Sequence, residues 1–291
     1  MLLQAQCSSY SIYLPYRYAQ TPILSLPLLY DASQLNGFKN SRLGLRKNQR
    51  MVISAADEGS SSIGSERKRK VVEHICLFKA KEDLSDDEEG VMLDYLYTTQ
   101  YQMRGIVAIS LGRVSAQNPE NYTHALYMRL ERKESLAKLY ENPFYLKVLK
   151  EHIMPYCHGL INVDYESEVE DDMLSIFRRG EEFNYGVEFV LLISFINGVL
   201  GEQVEHALAS LASLTQGSPS LIVQSTQGLN FSSSSKEYTH GVMIRFRSIE
   251  AFEIFMGSKE YKDMWLSKFQ PIVQKAISLH FSVDPVGTEI M

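Results

Sequence analysis

The chain of 291 residues has little cysteine, one tryptophan and no long apolar run. Its three cysteines, Cys7, Cys76 and Cys157, are too few for a disulfide framework or a four-cysteine zinc site. No stretch reaches the roughly 18 consecutive apolar residues of a membrane-spanning helix. The most apolar segment, Val187 to Leu200, is interrupted by Glu188, Ser194, Asn197 and Gly198, and reads as a buried strand with its turn. There is no phosphate-cradling glycine loop and no Gly-x-Ser-x-Gly nucleophile elbow. What is present is ordinary for a globular protein: 45% hydrophobic residues, 11% aromatic and 22% charged.

Acid is scarce in one place only. Residues 1–70 carry ten basic side chains against four acidic ones, a net of +6, which leaves −12 for the rest of a chain whose total is −6. The first fifty residues hold one acid, Asp31, among Ser, Tyr, Leu and Arg, with prolines at 15, 22 and 27. That composition is the signature of an organelle transit peptide, and the Tyr/Ser/Pro bias favours chloroplast over mitochondrion. The expected segments are a transit peptide over 1–55 and a flexible Ser/Gly-rich leader over 56–70. The acidic body would repel phosphate, so nucleic acid is not an expected partner.

An internal repeat sets the architecture. Tyr122-Thr123-His124 recurs as Tyr238-Thr239-His240, an offset of 116 that also relates Gly112 to Gly228 and Tyr145 to Tyr261. Near Val72-Glu73 and Val187-Glu188 the offset is 115. The chain therefore holds two versions of one unit, over 71–167 and 186–285. An acid-rich linker with an expected short helix joins them over 168–185, and a tail covers 286–291.

Each unit reads β-α-β-β-α-β. In the first, strands are expected over Val71–Phe78, Ile106–Leu111, Thr123–Leu130 and Leu160–Tyr165. A capping box at Ser85 opens the first helix. Pro143 interrupts the second, which resumes over Phe144–Ile153. The order predicts an α+β fold of two ferredoxin-like repeats. Such a sheet carries helices on one face and leaves the other bare. The expectation is that the two sheets pack face to face within the chain as an eight-stranded, barrel-like pseudo-dimer, with a homodimer as the alternative.

These residues resemble a known family. Val72-Glu73-His74-Ile75-Cys76-Leu77-Phe78-Lys79 is similar to the opening strand of the stress-response dimeric A/B barrel (Dabb) domain. Tyr122-Thr123-His124-Ala125-Leu126 is similar to its third strand, and Asn142-Pro143-Phe144-Tyr145 stands where the family often has His-Pro-x-His. The resemblance covers both repeats and none of the head. It implies a stress- or defence-related plastid protein of a family mostly without catalysis, some members of which are polyketide cyclases.

Strand alternation puts His74, Cys76 and Phe78 on one face, and His124 with Leu126 and Met128 on another, both turned toward the helices. An imidazole pair in one cavity could serve as general acid and base. The resemblance implies a cyclase pocket of three histidines and a tyrosine. Here His74 and His124 match, but Tyr145 replaces the third histidine and Leu139 the tyrosine, with Tyr140 adjacent. The second unit keeps only His240, with Phe189, Phe255 and Tyr261 at the other positions. The reading is therefore a stress-response barrel without catalysis, able to hold a small apolar molecule against His74, Cys76, His124, Leu139, Tyr145 and His240. The alternative is a cyclase-like enzyme using His74 and His124.

The default for each histidine is a core imidazole satisfied by a backbone carbonyl or a tyrosine. His152, Cys157 and His158 lack further ligands for a metal. The acids from Asp83 to Glu89 read as a solvated helix cap. Neither metal nor cofactor is expected. Trp265, Phe269 and Ile272 read as core, Cys76 as buried, and Cys157 as the one thiol open to solvent.

Overall fold

A computed structural model describes residues 68–170 and 186–283. The expected transit-peptide segment, most of the expected leader, the expected linker helix and the tail lie outside the described residues.

The first unit contains β1 (Lys68–Ala80), α1 (Asp86–Gln102), β2 (Ile106–Arg113), β3 (His124–Leu130), α2 (Lys133–Glu141), α3 (Pro143–Val148) and β4 (Cys157–Glu170). The second repeats it as β5 (Val187–Phe195), α4 (Gly201–Gln216), β6 (Ile222–Leu229), β7 (His240–Phe246), α5 (Ile249–Gly257), α6 (Lys259–Met264) and β8 (Val273–Ser282). The sheets are antiparallel, in the orders β2-β3-β1-β4 and β6-β7-β5-β8.

Local chemistry sets the element ends. The Ser85 side chain accepts the Glu88 backbone N–H while Glu88 reaches back to the Ser85 N–H, the reciprocal cap expected of this sequence. Asn142 ends α2 and caps α3, accepting from Phe144 N and Tyr145 N, and Pro143 occupies the first helical position, where its missing N–H costs nothing. Ser258 caps α6 in the same way. The predicted helix 144–153 is not uniform: its second half, Leu149–Ile153, is a π-helical turn, repeated over Trp265–Phe269.

Two other boundaries move. Lys68–Lys70, read as leader, extend β1, and Glu168–Glu170, read as linker, extend β4 well past Tyr165. They pair with one another, Lys68 opposite Glu170 and Lys70 opposite Glu168, so unlike charges face across the ladder.

Period-two alternation sorts the side chains into layers. From β1, Val72, Cys76 and Phe78 enter a core beneath α1, α2 and α3, while Ile75 and Leu77 enter a second core between the sheets. That middle layer takes Val163 and Tyr165 from the first unit, and Val190, Leu192, Met243, Leu279 and Phe281 from the second. A third core lies beneath α4, α5 and α6. The result is four layers, helices–sheet–sheet–helices, with each sheet covering the face its neighbour leaves bare.

The sheets face each other as expected but do not close into one eight-stranded barrel. They remain two four-stranded sheets, touching along two seams. One seam has a single bridge, Val114 to Phe281, and a bond from Ser115 N to His280 O. On the other, Phe231 N donates to Asp164 O. The seams are tight because a glycine stands in each. A Cβ on Gly112 would lie 2.5 Å from Ser282 O, and one on Gly228 would lie 2.7 Å from Glu166 O.

The middle layer also contains charge. Glu73 and Arg129 are 0% and 1% exposed. Arg129 Nη2 donates to Glu73 Oε1 at 2.7 Å. Tyr127 and Ser167 donate their hydroxyls to the same carboxylate at 2.6 and 2.9 Å. Arg129 Nη2 also reaches across to Gln224 Oε1 at 2.7 Å. In the second unit, Arg245 donates to Glu188, which also accepts the Ser110 hydroxyl of the first unit at 2.9 Å. Breaking such a pair strands a charge away from water, whereas replacing both members with apolar side chains does not. Arg129→Met is expected to lower unfolding stability by about 3–5 kcal/mol, read from urea denaturation, and the double change with Glu73→Leu is expected to recover only part of that loss, because the Tyr127 and Ser167 hydroxyls lose their acceptor.

Candidate functional site

The polar residues beneath the helices of the first unit form two separate clusters. His74, on the central strand β1, is fully buried. Its Nδ1 lies 2.7 Å from Asp164 Oδ1 on the neighbouring strand β4, directly opposite in register. A carboxylate only accepts, so Nδ1 carries a proton. Tyr140, at the end of α2, donates its hydroxyl to Asp164 Oδ2 at 3.0 Å and packs edge-on against the imidazole. His74 Nε2 is buried and has no hydrogen-bond partner among the described residues. Asp164 is held from the second unit as well: its backbone N–H donates to Asn230 Oδ1 at 3.1 Å.

His124, at the start of β3, is buried but differently engaged. Its Nε2 lies 2.7 Å from Glu89 Oε1 on α1, and its Nδ1 lies 2.9 Å from the Thr123 hydroxyl. Arg113 grips both oxygens of Glu89, its Nε donating to Oε1 at 2.8 Å and its Nη2 to Oε2. Arg113 and His124 hold the Glu89 carboxyl below the usual carboxylate range, with Arg113 the larger influence. Burial lowers the His124 pKa despite the pull of Glu89. Both ring nitrogens are therefore committed to the protein.

The two imidazoles do not form the acid–base pair expected from sequence. His124 stands opposite Phe78, four residues along β1 from His74, or about 13 Å at the rise of a strand. Carboxylates hold both rings in place of the expected backbone carbonyl or tyrosine, although Tyr140 does stand beside His74, its hydroxyl 3.4 Å from Nδ1. Leu139 is buried in the helix-side core, and the phenol of that helix comes from Tyr140. Tyr145 is fully buried near Cys76 and Asp164, and burial holds its hydroxyl protonated. Cys76 is buried as expected, and its thiol pKa is raised well above the ordinary value. Cys157 is half-buried rather than open, with a thiol pushed up to about 11 by burial.

The second unit lacks this chemistry. Phe189 replaces His74, and His280 stands beside it where Asp164 stands in the first unit. Among the described residues His240 meets no carboxylate: its Nδ1 lies 2.9 Å from the Thr239 hydroxyl, and its ring meets Phe195 edge-on. Phe255 and Tyr261 are core. Phe269 and Ile272 are buried as expected, while Trp265 is only partly buried and stacks on Phe269.

Sequence reasoning missed Asp164, Tyr140, Glu89 and Arg113 of the first unit's clusters. Asp164 falls on the inward face of a strand whose register with His74 the sequence does not display. Tyr140 lies one position from the site the resemblance implied. Glu89 was grouped with the solvated cap, although it is the one acid of that run on the buried face of α1. Among the described residues no group of three or more His, Cys, Asp or Glu gathers as for a metal ion, and His152 instead stacks on Tyr95. Among the described residues no helix is long and apolar enough to cross a membrane.

The Stress responsive A/B Barrel Domain (Dabb) model matches residues 72–167 and 187–283. A curated relative, a stress-response A/B barrel domain-containing protein of Arabidopsis thaliana, is 26% identical over 265 residues, covering 90% of this chain and 94% of the relative. Among solved structures, a candidate monooxygenase of Fusobacterium nucleatum is 10% identical, with a TM-score of 0.54 over 74% of this chain and 93% of its own. At that identity the likeness is one of fold. A hydroxynitrile lyase of Passiflora edulis is 17% identical, with a TM-score of 0.31 over 35% of this chain and 94% of its own.

Three histidines carry a pH dependence. Burial lowers the pKa of His124, His240 and His280. Below the unfolded histidine value of about 6.5 the unfolded chain binds the protons that the folded chain resists, so stability is complete above that value and falls as pH drops through it. The thermal midpoint is expected to be lower at pH 5.5 than at pH 7.5, and His240→Gln is expected to flatten that slope.

Proposed function

The chain belongs to the stress-responsive A/B barrel family, and from that premise we propose that it is a stress-response protein of the plastid that binds a small, mostly apolar molecule without turning it over. The observation that carries this reading is the state of His74. Its Nε2 is buried with no protein partner among the described residues. A buried polar atom left unsatisfied costs free energy that a ligand hydroxyl can recover. The expected ligand is apolar apart from one hydroxyl, such as a phenol, hydrogen-bonded to Nε2 among Cys76, Leu139, Tyr140 and Tyr145.

The supply of proton-transfer groups supports a reading without turnover. General acid–base catalysis needs two groups placed at the reacting atoms, with pKa values near the working pH. His124 has both nitrogens occupied and lies at the far end of the strand. Tyr140 already donates to Asp164, and burial raises the pKa of the Tyr140 and Tyr145 hydroxyls further above neutral pH. The basic, acid-poor head supports the plastid assignment.

The test is a thermal-shift screen of phenolic compounds against the full chain and against His74→Phe, the residue its counterpart Phe189 already provides. Wild type is expected to gain stability with a bound phenol, and His74→Phe to fold but lose that gain. An equal gain in both proteins would remove His74 from the site.

One observation favours a second reading. A carboxylate that orients an imidazole and leaves the other nitrogen free is the arrangement of a general base. If the site is that of a cyclase, Tyr145→His is expected to confer or raise ring closure of a linear polyketide, read by product chromatography. No product from wild type or variant would leave the binding reading standing alone.

A further inference from the structure

Asp164 stands opposite His74 in the ladder between β1 and β4. Its backbone groups face away from β1: the N–H donates to Asn230 Oδ1 at 3.1 Å, and the carbonyl accepts from Phe231 N at 2.8 Å. His74 and Asp164 are therefore a non-hydrogen-bonded pair, the kind whose side chains stand closest. That closeness lets the Asp164 carboxylate meet the imidazole at 2.7 Å. The backbone of Asp164 is thus held from outside its own sheet, by two residues of the second unit that follow β6.

Asn230 is itself tied down. Its side-chain oxygen accepts from Asp164 N and, at 2.9 Å, from Ser232 N. Its amide nitrogen donates to Ser235 O at 3.0 Å and to Tyr238 O at 2.8 Å. Two acceptor and two donor places are all a side-chain amide has, so it cannot turn without breaking bonds. The other seam shows the chain without such a residue. There Ser115 N donates to His280 O, as Phe231 N donates to Asp164 O. At the offset of 116, Val114 takes the place of Asn230, and its side chain can accept nothing. The backbone clasp is common to both seams. The side-chain clasp is present only where the strand it holds carries Asp164.

We propose that Asn230 is a positioning residue of the His74 site: by holding the Asp164 backbone, the second unit fixes the carboxylate that orients the imidazole. Removing its amide leaves the Asp164 N–H without an acceptor, and a partly buried donor without a partner costs free energy that the strand recovers by shifting toward water. The consequence for a ligand rests on the binding reading given above. A molecule that needs the imidazole in this orientation binds best with the clasp closed, and by linkage its binding favours closure in turn. Occupancy of the first unit's site and closure of the seam by the second are then coupled.

The test uses the full chain, first without ligand. The NMR signal of the His74 Nδ1 proton is identified by its loss in His74→Phe. Asn230→Val installs the residue that the repeat already carries at 114. It is expected to shift that signal and to speed exchange of the proton with water about tenfold, the factor that one hydrogen bond supplies. The His124 ring signals are expected to stay in place, because Glu89 and Thr123 hold that ring from within the first unit. An unmoved His74 signal, or an equal change at both rings, overturns the positioning role. Asn230→Ser, which stays polar but falls short of Asp164, is read in the same way if Asn230→Val does not fold. The ligand arm measures the gain in thermal midpoint with 4-propylphenol, and Asn230→Val is expected to lose most of the wild-type gain. A gain kept in full overturns the coupling. No gain in wild type overturns the binding reading and the coupling with it, while the ligand-free signals still decide the role of Asn230.

Discussion

A four-stranded sheet with helices on one side has a second side that water cannot be left to cover. That bare face is the constraint on which the rest of this structure depends. Two repeats in one chain meet it directly, each sheet burying the other. Everything between them is then sealed, including two Glu–Arg pairs that can exist there only because each carboxylate is hydrogen-bonded as well as charge-paired. The glycines at the seams serve the same end, since a side chain at 112 or 228 would hold the sheets apart.

Relieved of symmetry, the two units have diverged on their helix-covered sides. The first keeps polar chemistry there: His74 with Asp164 and Tyr140 at one end of the sheet, His124 with Glu89 and Arg113 at the other. The second replaces His74 with Phe189 and leaves His240 among aromatics. The division is not complete, because Asn230 of the second unit holds the backbone of Asp164. The second unit thus braces the site of the first. A homodimer of one unit would have to repeat every such feature twice, whereas a tandem can reserve one unit for chemistry and the other for support.

Much of the fold was legible because its signals are local. The capping box at Ser85, the Asn142-Pro143 break and the period-two strands each act over a few residues. The repeat offset then supplied the architecture by arithmetic alone. What escaped was whatever depends on the partner strand. The extension of β1 through Lys68–Lys70 became visible only opposite Glu168–Glu170, since neither triplet has an apolar period of its own. The separation of His74 from His124 required register: both face the helices, as alternation says, but alternation does not say how far apart along the sheet they lie.

The amino-acid sequence by itself determined the duplicated β-α-β-β-α-β order, the inward face of each strand and the family, because hydrophobic periodicity and repetition are properties of the chain read in one dimension. Only the tertiary structure decided which carboxylates hold the histidines and that the sheets stay two rather than closing into one. It also decided that Tyr165 rests on Gly241 in the opposite unit. Those facts join residues tens of positions apart, and a side chain's partner there is set by the register and approach of whole strands.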